Sequence, residues 1–238
     1  MAQQQQQQQQ QQTDFIGSFK VILDGIQRVG KTTLMHFFRY GEFDCLYNLT
    51  TQRIRDHSLV FYTNSGPIQF RVHDIGSPGR RSYYSNYRNL TELHECQGAI
   101  LMFDLTSRLS FKAVHSQRLR DIKSTFGDDF PIVYVGNKTD ESEERAVRQK
   151  YIDRHVEKHN APYHEMSVNK NYQVLLPFQT LARHFLQDPD LCFRCDPDHA
   201  QLVIDALQNV KIVLLPMDVQ QRIVAFVRPV FPVTARSG

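Results

Sequence analysis

The chain has no apolar run approaching the ~18–20 residues that a membrane-spanning helix needs, and no signal peptide is visible. The closing Thr234-Ala235-Arg236-Ser237-Gly238 lacks a prenylation cysteine, and the opening residues lack a myristoylation glycine. These absences predict a soluble protein without a lipid anchor. Cysteine is sparse: Cys45, Cys96, Cys192 and Cys195 are scattered, which fits reduced intracellular thiols and excludes a disulfide scaffold. Cys192-Phe193-Arg194-Cys195 with His199 is one C-x-x-C without a second pair, so thiols are expected there instead of a metal. Charge of one sign is not in excess either. Lys and Arg number 28 against 25 Asp and Glu, a formal net charge of +3, which gives no support to direct nucleic-acid or membrane binding.

What is present suffices for a folded core. Over 238 residues, 41% are hydrophobic and 11% aromatic, enough for one α/β domain with a tail. Gln3 to Gln12 are all glutamine. That tract buries no apolar surface, so residues 1–14 read as a disordered tail. Residues 15–193 read as the globular domain and 194–238 as a C-terminal tail. In the tail, His199 to Val210 has amphipathic helical spacing, and Lys211–Pro216 and Ile223–Phe231 are apolar. It either packs on the domain or receives a partner.

The domain is organised around Phe19 to Thr33. The run Phe19-Lys20-Val21-Ile22-Leu23-Asp24 ends in Gly25, Gly30-Lys31-Thr32 follows, and helical spacing begins with Leu34, Phe37 and Phe38. This is G-x-x-x-x-G-K-[ST] between a strand and a helix. Backbone N–H groups from Gly25 through Arg28, Val29, Gly30 and Thr33 can form a concave anion site, backed by the helix N-terminus. Lys31 reaches the outer phosphates, and the Thr32 hydroxyl is a ligand for Mg²⁺. Gln27 and Arg28 are bulky for the middle of such a loop and crowd the outermost phosphate.

Downstream, Glu42 to His57 is polar and aperiodic, a functional loop by its length. Ser58–Asn64 and Ile68–His73 read as a hairpin across Asn64-Ser65-Gly66-Pro67. Gly98–Asp104 and Pro131–Gly136 are apolar runs typical of buried parallel strands. Ser107–Phe126, Glu141–His159 and Val174–Gln187 read as helices, and Tyr163–Met166 as a short strand. The order β-α-β-β-α-β-α-β-α predicts a mostly parallel sheet covered on both faces, with ligand at the carboxyl ends of its strands.

Polar residues stand where those apolar strands stop. Asp74, ending the hairpin, is placed to hold a Mg²⁺ water. Thr50 or Thr51 offers a second hydroxyl when a third phosphate is present. Asn137-Lys138-Thr139-Asp140 follows a buried strand, and the Asp140 carboxylate can accept from guanine N1 and N2, which adenine cannot donate. Such a site rejects the wrong base by ~10⁴–10⁵.

On these motifs the chain resembles a Ras-superfamily small GTPase, and within it the Ran family of nuclear transport. The likeness covers about Phe19 to Phe193. It includes Tyr40-Gly41-Glu42-Phe43, Asn64-Ser65-Gly66-Pro67-Ile68, Met102-Phe103-Asp104-Leu105-Thr106-Ser107-Arg108 and Asp188-Pro189. The resemblance implies a P-loop α/β domain with a mostly parallel six-stranded sheet. It also implies binding of GTP and GDP with Mg²⁺ and two nucleotide-dependent switch loops. The partners it implies are importin- and exportin-type transport receptors and Ran regulators. It implies a monomer in nucleus and cytoplasm, and places Ser167, Val168 and Asn169 against the base.

The departures cluster near the outermost phosphate. After Asp74 the family reads Asp-Thr-Ala-Gly-Gln, but here Ser77 and Pro78 stand at the glycine and glutamine positions. Proline has no N–H and cannot orient a water. The base loop carries Asn169 where the family has lysine. The expectation is a guanine-nucleotide switch with weak or absent hydrolysis, the alternative being a pseudo-GTPase that binds transport receptors without cycling.

Overall fold

The computed structural model describes residues 14–40, 54–76 and 91–194. The strands are β1 (Gly17–Asp24), β2 (Ile54–Thr63), β3 (Gly66–Ile75), β4 (Gly98–Asp104), β5 (Ile132–Asn137), β6 (Tyr163–Glu165) and β7 (Phe193–Arg194). The helices are α1 (Lys31–Tyr40), α2 (Arg108–Ala113), α3 (Leu119–Phe126), α4 (Gln149–His159) and α5 (Leu176–Leu186). The sheet runs β6-β5-β4-β1-β3-β2-β7. The pairs β1–β3, β1–β4, β4–β5 and β5–β6 are parallel, while β2 is antiparallel to both its neighbours.

Two cores sit on the two faces of this sheet. Leu23, Leu34, Phe38, Phe70, Phe178 and Leu181 pack on one side, beneath α1 and α5. Ile22, Leu101, Phe103, Leu119, Ile122 and Ile152 pack on the other, beneath α2, α3 and α4. Every residue of β4 is buried, as expected for a central strand covered on both faces. Phe38 meets Phe178 edge-on, with ring centroids 5.3 Å apart, a favoured aromatic geometry that locks α1 to α5. The parallel order brings the carboxyl ends of β1, β3, β4 and β5 to one end, and the polar loops emerge there.

The structure corrects the sequence reading in several places. The sheet has seven strands, not six, and the boundary drawn after Phe193 falls inside β7. That pairing holds because Phe193 stacks on Phe61 at 4.7 Å, and Cys192 N–H donates to Asn64 Oδ1 at 2.9 Å. Strand β2 starts at Ile54, earlier than Ser58, because its register with β3 continues to Ile54↔Ile75 despite the polar Arg55-Asp56-His57. The helix expected over Ser107–Phe126 runs unbroken from the Ser107 cap to Phe126, as α2, a π turn at Val114–Arg118, and α3. The helix expected from Glu141 starts at Gln149. Ala146 and Val147 instead donate to the Leu105 carbonyl, at 2.9 and 3.0 Å, which draws this segment onto the exit of β4.

The glutamine tract, Thr50 and Thr51, Ser77 and Pro78, and the tail beyond Arg194 lie outside the described residues. Among the described residues, no helix is long and apolar enough to cross a membrane. Cys96 and Cys192 are free thiols, and no His, Cys, Asp and Glu grouping suited to a metal occurs among the described residues.

Candidate functional site

The loop between β1 and α1 is shaped by two glycines for steric reasons. A Cβ on Gly25 would lie 2.1 Å from the Met102 carbonyl oxygen, so β4 admits no side chain there. Gly30 has φ +103°, and its Cβ would meet Asn137 Nδ2 at 2.4 Å. Between them Arg28 takes the left-handed region at φ 66°, uncommon for a residue with a side chain. The loop therefore turns tightly into α1, whose first turn holds no acidic residue. The positive end of that helix is left to attract an anion. Thr33 is half-buried in the same turn, and Val29 is fully buried in the loop wall.

Lys31 is buried and curls back over the loop, with Nζ donating to the Gly25 and Ile26 carbonyls at 2.6 and 3.1 Å. Burial lowers its ammonium below the ordinary lysine value, while Asp74 and Asp24 favour the charged form. This is a cation held at the mouth of an anion cradle.

Asp74, at the end of β3, comes next to the start of α1. The Thr32 hydroxyl donates to its Oδ2 at 3.3 Å, whereas the buried Oδ1 has no hydrogen-bond partner. Burial raises the carboxyl above the usual range, against the pull of Lys31 and the Thr32 hydrogen bond. An orphaned buried oxygen beside a hydroxyl is a donor set that fits a hard divalent cation. The residues present thus suit Mg²⁺, with Thr32 and Asp74 as the groups that would hold it.

The loop after β5 forms the second half of the site. Asn137 is buried and spans the two halves: its Nδ2 donates to the Val29 carbonyl at 2.9 Å, and its Oδ1 accepts from the Val168 amide at 3.3 Å. Lys138 has φ 71°, and its ammonium sits 3.0 Å from Asp104 Oδ2 at the end of β4. Asp140 Oδ1 accepts from the Ser167 hydroxyl at 2.5 Å, and Oδ2 from Asn169 Nδ2 at 2.8 Å. Burial pushes the Asp140 carboxyl upward, but these two hydrogen bonds outweigh it and hold the group below the usual carboxylate range. Ser167 and Asn169 thus fix an ionised carboxylate at the rim, able to accept two parallel N–H bonds.

Sequence reasoning missed Asp104, the anchor of Lys138, and it missed Asp24 and Arg118. Asp24 is fully buried at the end of β1, with Arg118 Nε 3.5 Å from its Oδ2. The signal for Asp24 was legible: a carboxylate closing the apolar run Val21-Ile22-Leu23 needs a partner. For Arg118 the signal was its spacing, four residues from both Val114 and Ile122 on the core face of the helix.

A strand, a glycine-bounded loop and a helix bearing Lys31 and Thr32, with Asp74 opposite and Asp140 at the next strand end, define a P-loop nucleotide-binding domain of small-GTPase type. In a comparison with protein-family models, the Ras family matches residues 20–187. The chain belongs to the Ras family and carries its GTP-binding switch domain.

Proposed function

We propose that this protein is a Ran-like guanine-nucleotide switch of nucleocytoplasmic transport, in nucleus and cytoplasm, with hydrolysis weak or absent. The observation that carries the nucleotide reading is the convergence of Lys31, Thr32 and Asp74 on one side and Asp140, Ser167 and Val168 on the other, tied by Asn137. In this reading the loop amides up to Thr33 hold the phosphates, except that of Gly25, which donates to Asp24 Oδ1; Lys31 swings from the loop carbonyls onto them, and Asp140 reads the guanine edge. Lys138 and Asn169 flank the base. A bound Mg²⁺ would neutralise charge on the outer phosphates. Thr32, Asp74 and one of Thr50 or Thr51 would supply its protein ligands. The Ran resemblance supports importin- and exportin-type receptors and Ran regulators as partners of a monomer.

A second reading, a pseudo-GTPase that binds such receptors without cycling, is favoured by Ser77-Pro78. The nucleotide content of the purified full-length chain, by chromatography after denaturation, separates the two. Bound GDP supports a cycling switch, GTP a locked one, and the absence of both purines refutes the switch.

A further inference from the structure

We propose that Asp24 and Arg118 form a positioning pair that sets the electrostatic potential of the phosphate loop from beneath, and so fixes how tightly the loop holds a phosphate chain. The inference rests on the nucleotide reading above and goes beyond it by giving a role to two residues outside the binding motifs.

Asp24 is the last residue of β1 and is 0% exposed; Arg118 is 2% exposed, in the helical layer on the far side from α1. The Asp24 side chain does two things at once. Its Oδ1 accepts from the Gly25 amide at 2.6 Å, the first amide of the phosphate loop, and its Oδ2 faces Arg118 Nε at 3.5 Å. A carboxylate directly under an anion cradle opposes the ligand the cradle is built for. Arg118, at the end of the π turn at Val114–Arg118, offsets it. Arg118 closes that turn four residues after Val114 and four before Ile122, so its side chain lies on the face that Val114, Leu119 and Ile122 turn to the core.

Stability alone does not account for such a pair, since buried ion pairs replaced by apolar residues are often neutral or stabilising. Its position does. The pair stands behind the loop that carries Lys31 and is joined to its first amide. Lys31 and Arg118 against Asp24 and Asp74 make a charge-balanced set behind the loop. Each member of the pair thereby tunes the field that a phosphate meets, while Asp24 also fixes where the loop begins.

The test measures binding of GDP, guanosine and pyrophosphate to the full-length chain stripped of nucleotide, by calorimetry. Asp24→Asn keeps an acceptor for the Gly25 amide but removes the negative charge. It is expected to tighten GDP and pyrophosphate about tenfold, the scale of one unit charge at a partly buried site, and to leave guanosine unchanged. Arg118→Met is expected to weaken both by about tenfold, again without effect on guanosine, and the double variant returns near the native values. Should Arg118→Met fail to fold, Asp24→Asn and the charge-keeping Arg118→Lys carry the test, with Arg118→Lys expected near native. If the variants lower only the melting temperature and the GDP-to-guanosine ratio stays put, the pair is structural and the proposal is overturned. If the native chain binds neither GDP nor pyrophosphate, the nucleotide reading itself fails and the pair's role falls with it.

Discussion

Asn137 donates to the carbonyl oxygen of Val29 at 2.9 Å, across 108 positions of sequence. One buried amide thereby joins the loop between β1 and α1 to the end of β5. Its carbonyl end closes the bridge by accepting from Val168.

Replacing Asn137 by Ala leaves the Val29 carbonyl and the Val168 amide without this partner. Each orphaned buried group costs about 1–3 kcal/mol, so a loss of about 2–6 kcal/mol is expected in urea unfolding of the nucleotide-free chain. Guanine-nucleotide affinity falls with it, because the two halves lose their fixed spacing.

Gly25→Ala is expected to be worse than its size suggests. The new methyl would sit 2.1 Å from the Met102 backbone oxygen, and the central strand cannot retreat. A melting curve should show destabilisation of at least about 1–3 kcal/mol, and GDP binding should be lost. Gly127→Ala is the control, since its Cβ meets nothing within 4 Å and φ +99° alone adds strain.

Asp140→Ala removes the acceptor to which the proposed function gives the discrimination of guanine. GDP affinity should drop on the order of 10⁴, the lower end of the ~10⁴–10⁵ that lost hydrogen-bonded recognition costs, and binding of ADP should not improve. Ser167→Ala, which removes only the hydrogen bond that holds the carboxylate, should cost about tenfold. A GDP titration of the three proteins orders them.

Single-turnover GTP hydrolysis by the native chain is expected to be slower than in family members that keep the water-orienting glutamine, because Pro78 stands at that position. The double change Ser77→Gly with Pro78→Gln should raise the rate. An unchanged rate would locate the block elsewhere, at Gln27 and Arg28.

His155 supplies a pH prediction. Burial lowers its imidazole from 6.5 to about 4, with His159, His115 and Lys158 adding repulsion, and its Nε2 is buried without a partner. The folded state therefore binds fewer protons than the unfolded state between pH 6.5 and about 4. In that window stability falls as pH falls. His155→Phe, which suits contacts with Tyr134 and Phe111, should flatten this acid limb in urea midpoints while changing little at pH 8.

The placement of Gly25, Gly30, Lys31, Thr32, Asp74 and the Asn137–Asp140 stretch at one end of the sheet was readable because each follows or closes an apolar run that must be a buried strand. The packing order of the domain was readable for the same reason that β4 and β5 are buried on both faces: apolar runs with no polar face can go nowhere else. Three features were hidden. Strand β2 extends through Arg55-Asp56-His57 because pairing with β3 overrides composition. The π turn is a main-chain event that side-chain spacing does not mark, and Arg118, though spaced with Val114 and Ile122 on the core face, has its partner Asp24 far away in sequence, at the end of β1. The clamp of Asn169 on Asp140 depends on how the loop after β6 folds back, which no spacing encodes.

The short strand β7 fixes where the rest of the chain departs. Its partners Tyr62 and Thr63 lie beside the hairpin turn, at the amino-terminal end of β3, whereas Asp74 closes the other end. Eight steps of strand at ~3.3 Å each put roughly 27 Å between Gly66 and Asp74. Whatever residues 195–238 engage, they set out from the pole of the molecule remote from the nucleotide loops, and the β2–β3 ribbon is the rod that spans the two.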